Sequence, residues 1–132
     1  MPGSVFSPLS VGTHQLIRDG ALLVQNARDV LAVLDDAGVR LTHVFETHIH
    51  NDYVTGGLAL ARRTGAAYLV NAADDVAFER TPVRDGDVIE VGPRMRITAL
   101  ATPGHTFTHL SYALADADGG PVGVFSGGSL LY

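Results

Sequence analysis

The sequence contains no cysteine. That excludes disulfides, thiolate metal ligands and a cysteine nucleophile together, and it fits a reducing compartment such as the cytoplasm. No apolar run reaches the roughly 18 residues a membrane-spanning helix needs, so no membrane partner is expected. Positive charge is also scarce: Lys and Arg number 9 against 14 Asp and Glu, for a net charge of −5 with His neutral. A basic footprint for nucleic acid is therefore missing. Residues 1–10 carry neither a basic segment nor a long apolar core, and no signal peptide is read there. Internal repeats and low-complexity stretches are absent too.

What remains is ordinary globular material. The chain has 132 residues, 46% of them hydrophobic and 17% charged, enough for one domain around one core. A single domain over residues 1–132 is the expectation. Residues 11–17 and 21–25 flank Arg18-Asp19-Gly20, and Asp-Gly between apolar runs predicts a hairpin. Residues 27–37 carry Val30, Leu31, Val33 and Leu34 at helical spacing, with Gly38 as the stop. Residues 42–47 predict a short strand, 55–63 a helix stopped by Gly65, and 67–70 a buried strand. Asn71 is placed as the cap of a short helix over 71–78. Strands follow at 88–91 and 95–101, and a last hairpin at 110–115 and 122–125. This order describes an α/β layered protein with a mixed sheet.

Six histidines are the groups that ordinarily titrate near neutrality. His48 and His50 stand two apart where the strand over 42–47 ends. On extended chain, alternate side chains point the same way, so both imidazoles can meet one ion. Imidazole suits Zn, Fe, Cu or Ni. Asp52, two residues further, can ligate the ion or hold a water. Thr102-Pro103-Gly104-His105 sets a further imidazole on a turn just after a strand. An HxH pair alone is common on surfaces. With His105 added it becomes a catalytic zinc set of three imidazoles and one open position. His14 and His43 are assigned to surface or packing. His109, four residues after His105, is either a partner that holds a ligand in place or a structural histidine.

Residues 47–57, Thr-His-Ile-His-Asn-Asp-Tyr-Val-Thr-Gly-Gly, resemble the THxHxDHxxG signature of the metallo-β-lactamase superfamily. Thr102-Pro103-Gly104-His105-Thr106 is similar to its TPGHT motif, and Phe125-Ser126-Gly127-Gly128-Ser129-Leu130 to its FTGDTL motif. The runs from Glu46 to Tyr53 and from Phe107 to Tyr112 look like the branch of glyoxalase II-like and persulfide dioxygenase-like enzymes, some of which are joined to rhodanese domains. The resemblance implies an αββα sandwich with the metal between the sheets, here mainly its N-terminal β-sheet and helix half. It implies a first metal site of His48, His50 and His105, with Asp52 in the second site or at the activated water.

The departures from that pattern sharpen the expectation. Tyr53 stands where the signature has its last His, Gly128 where it has a metal-binding Asp, and Gln25 near where many members carry an early Asp. The matched region ends with the chain, which reads as a domain truncated at its C-terminus. These losses point to one divalent ion, Zn2+ first and Fe2+ second. The expected function is a mononuclear metallohydrolase of glyoxalase II-like type acting on a small thioester or related thiol-derived substrate. Asp52 would act as base or water-orienting group, and Tyr53 as hydrogen-bond donor to a developing oxyanion. One alternative is a persulfide dioxygenase-like iron enzyme, whose facial triad would use His48, His105 and the residue at Gly128. The other is a catalytically impaired metal-binding fragment or interaction domain. With half a sandwich, strands 110–115 and 122–125 are expected to expose an apolar face and to cover it by forming a homo-oligomer.

Overall fold

The structure is a computed structural model and describes residues 3–52 and 54–130. The chain divides into two compact units, Met1–Arg40 and Leu41–Tyr132.

The first unit is helical. A 3-10 turn at Pro8–Ser10 leads into α1 (Val11–Arg18), and α2 (Ala27–Asp36) follows. The expected hairpin over 11–25 is therefore replaced by a helix and its cap. Gly20 adopts φ 100°, its N–H donates to Ile17 O, and Ala21 N–H donates to Leu16 O at 2.9 Å. That is the paired bond pattern by which a left-handed glycine closes a helix. Asp-Gly serves a helix end and a hairpin turn by the same positive φ, so the local signal was ambiguous. Helix α2 forms where expected. Asn26 and Asp29 make a capping box at its start, and Gly38 closes its end with Val39 N–H on Leu34 O at 2.8 Å.

The second unit holds two sheets. One is parallel, in the order β1 (His43–Phe45), β2 (Ala67–Asn71), β3 (Thr81–Val83), with α3 (Gly57–Thr64) as the crossover between β1 and β2. The other is an antiparallel meander of β4 (Val88–Val91), β5 (Met95–Ala101), β6 (Leu110–Asp116) and β7 (Pro121–Phe125). Strand β2 shows how the layers stack, because its side chains alternate between faces. Tyr68 and Val70 pack with Ala61 of α3, whereas Leu69 packs with Ile97, Ala99, Leu110 and Tyr112 of the antiparallel sheet. The order of layers is helix, sheet, sheet, an α/β arrangement with the main core between the sheets.

Two further expectations are corrected here. No helix forms over 71–78. Asn71 ends β2, and its side-chain oxygen accepts from Ala73 N–H at 2.9 Å. The Arg80 guanidinium donates to the carbonyls of Ala72 and Asp74, oxygens that helical bonding would need. Strand β3 was not foreseen; Pro82 sits at its centre, and as an edge strand it tolerates a residue without an N–H. Of the two strands expected to expose apolar residues, only β7 exposes large ones. Val122, Val124 and Phe125 of β7 are 58–62% exposed, whereas Leu110 and Tyr112 of β6 are buried. Among the described residues, no helix is long and apolar enough to cross a membrane.

Candidate metal centre

The site forms where β1 runs out. Thr47 O accepts from Leu110 N–H at 2.7 Å, which ties the start of the loop after β1 to the start of β6. The next residues carry His48 and His50. His105 comes from the loop between β5 and β6. That loop is closed at its neck by Thr102 N–H on His109 O at 3.0 Å. Its tip turns at Gly104, whose φ of 155° favours glycine.

These loops bring the three imidazoles together. The ligating nitrogens of His48, His50 and His105 all lie within 4.8 Å of one another. Nε2 of His50 is 3.0 Å from Nε2 of His105. The ring centroids are 4.8 Å apart for His48 and His50, 4.8 Å for His48 and His105, and 5.0 Å for His50 and His105. Nitrogens bound at about 2.0–2.1 Å around one tetrahedral ion sit roughly 3.4 Å apart, so the donor set fits one ion with little movement. His48 is held below its ordinary pKa of 6.5, first by burial and then by the facing rings of His109, His105 and His50. The lowered pKa favours the neutral ring, which keeps one nitrogen lone pair available. Asp52 is exposed on the same loop and falls outside the histidine group. Tyr53 lies outside the described residues.

His109 supports this group from behind. It is 1% exposed and stacks on His48 with centroids 5.0 Å apart. Gly128 N–H donates to its Nε2 at 3.2 Å. A backbone N–H can only donate, so Nε2 carries a lone pair and the ring proton sits on Nδ1, 2.8 Å from Thr102 Oγ1. Thr102 Oγ1 in turn bonds Ser111 Oγ at 2.8 Å. Burial and the nearby His105 both keep His109 neutral. Both ring nitrogens of His109 are thus occupied inside the protein. His14 bonds Gly3 O from α1, and His43 bonds Thr42 Oγ1 beside Phe45.

Of the glycine pair after β7, Gly127 was read from the sequence as a motif match and Gly128 only as a loss. A Cβ at Gly127 would collide with Thr47 Oγ1 and come within 2.8 Å of His109 Nε2. A Cβ at Gly128 would collide with His105 Cδ2 and approach its Cγ and Nε2 to 2.7 Å. Both positions are filled by the histidine assembly itself. Nothing local in the sequence marks this, because the contacts span about 20 to 80 residues.

A sequence profile of the metallo-beta-lactamase superfamily matches residues 12–131. The chain belongs to the metallo-beta-lactamase superfamily. Among curated relatives, it is 36% identical over 94 residues to a hydroxyacylglutathione hydrolase of Acidiphilium cryptum (strain JF-5), covering 70% of this chain and 38% of that one. It is 37% identical over 122 residues to the hydroxyacylglutathione hydrolase of Rhodobacter capsulatus, covering 89% and 46%. Solved structures agree. A metallo-beta-lactamase from Staphylococcus aureus subsp. aureus COL superposes with a TM-score of 0.66 at 31% identity, over 78% of this chain and 33% of that chain. ETHE1 from Myxococcus xanthus gives 0.56 at 35% identity, over 76% and 39%. This superfamily member thus spans less than half the length of the curated relatives it matches.

Proposed function

We propose that this chain is the metal-binding part of a glyoxalase II-like hydrolase, with one ion held by His48, His50 and His105. The observation that carries the proposal is the convergence of these three imidazoles from two loops, joined to the likeness to hydroxyacylglutathione hydrolases. When bound, a divalent ion would supply Lewis-acid polarisation of a carbonyl and activation of water. Zn2+ is the preferred ion because three imidazoles with an open position match its catalytic sites. The substrate class is a small thioester or related thiol-derived compound, and the cytoplasm, which suits a chain without cysteine, is the proposed compartment.

The protein's own groups divide the remaining work. Asp52, exposed two residues after His50, would take a proton or orient the attacking water. Tyr53 would donate a hydrogen bond to the developing oxyanion. His109 and Thr102 keep the rings aligned. The iron alternative is weaker, because Gly128 brings no carboxylate to complete a facial triad with His48 and His105. Self-association through β7, an edge strand with Val122, Val124 and Phe125 exposed, belongs to the same proposal. The test is zinc content of the purified chain, followed by thioester hydrolysis with zinc present. Zinc binding without turnover would favour the reading of a non-catalytic metal-binding fragment.

A further inference from the structure

Glu46 belongs to none of the roles above, yet it sits at the root of the loop that carries His48, His50 and Asp52. Its Oε1 accepts two hydroxyls: Thr55 Oγ1 at 2.7 Å and Tyr68 Oη at 2.8 Å. Thr55 stands at the far end of the loop. Its hydroxyl also accepts Gly57 N–H at 3.1 Å, so its own proton is directed to Glu46. Tyr68 lies on β2 and is 5% exposed. The main chain of Glu46 is fixed as well. Its N–H donates to Leu69 O at 3.0 Å, and its carbonyl accepts Tyr112 Oη at 2.9 Å. One residue is thereby tied to β2, to β6 and to both ends of segment 47–54.

Room for this carboxylate is built into the fold. A Cβ at Gly57 would collide with Glu46 Oε1, and would lie 2.9 Å from Tyr68 Cε2 and 3.2 Å from Val44 Cγ1. The start of α3 is glycine where the carboxylate passes. The described residues between the two anchors take no part in either sheet and form no helix, so their path depends on how the ends are held.

We infer that Glu46 is a positioning residue that staples both ends of the 47–54 loop and so sets His48 and His50 for metal binding. This rests on the reading that those imidazoles, with His105, hold an ion. Loss of a group that orients metal ligands typically costs about 10–100-fold in affinity.

The test compares Glu46→Leu, Glu46→Gln and Thr55→Val, each by NMR of the metal-free chain and by zinc affinity. In the metal-free chain, cross-ring NOEs should link His48 to His50 and His105. Glu46→Leu should lose them while keeping the Phe45–Tyr112 contact of the core, and should weaken zinc binding about 10–100-fold. Glu46→Gln keeps a carbonyl acceptor and should restore both readouts to within a few-fold, a rescue that loss of core stability would not give. If Glu46→Leu does not fold, Thr55→Val carries the test, with an expected loss of roughly 2- to 10-fold for one hydrogen bond. Unchanged NOEs and unchanged affinity in whichever variant folds would overturn the inference. An unmodified chain that takes up no zinc would sink the metal reading instead, and the NOEs would still decide the role of Glu46.

Discussion

The ring of His105 occupies the space beside Gly128 where any other residue would place its side chain. A Cβ there would come within 2.7 Å of His105 Cγ and Nε2. The glycine is therefore more than the absence of a carboxylate; it admits an imidazole of the three-histidine group.

Restoring an acid at this position should not build a second metal site. Gly128→Asp and Gly128→Ala are both expected to push His105 from its place and to weaken zinc binding. Overpacking of this kind costs about 1–3 kcal/mol, so the melting temperature should fall as well. Zinc titration followed by calorimetry measures both effects. A Gly128→Asp chain that binds two ions would contradict the packing argument.

The buried histidines set a pH dependence with a definite sign. His48 and His109 both have pKa values lowered from the ordinary 6.5, chiefly by burial. As pH drops below about 6.5, the unfolded chain takes up protons that the folded chain resists. Stability of the metal-free protein is then full above that pH and is lost as pH falls towards the folded values. His109→Gln should make the decline shallower. It should also cost about 1–3 kcal/mol if Gly128 N–H is left without an acceptor. Urea unfolding between pH 5 and 8 checks this, and a flat profile for the unmodified chain would count against it.

The histidine site was more legible than its support. His48, His50 and His105 are marked by short local patterns, an alternation at a strand end and a Pro-Gly turn, and local patterns survive folding. The strands of the meander were legible for the same reason. Helix α1 was misread because Asp19-Gly20 supplies a positive φ that closes a helix as readily as a hairpin. Residues 71–78 were misread because the Arg80 side chain, not the local sequence, claims the carbonyls there. The bracing by His109 depends on Gly128, 19 residues away, and the staple at Glu46 on Tyr68, 22 residues away. Neither separation leaves a periodic trace.

The outer strand of the meander offers a separate check. Val122, Val124 and Phe125 are exposed on β7, which pairs with β6 and forms the end of its sheet. Unpaired, apolar edge strands promote association. Sedimentation velocity should show the chain self-associating as concentration rises, and Val124→Lys should suppress it. A monomer at all concentrations would remove self-association from the account.

The central claim is that His48, His50 and His105 together hold one ion, and metal stoichiometry tests it most directly. Elemental analysis of the chain after zinc loading and gel filtration should give about one equivalent. His48→Ala and His105→Ala, measured beside it, should retain almost none. Two equivalents in the unmodified chain, or zinc undiminished in either variant, would contradict the account.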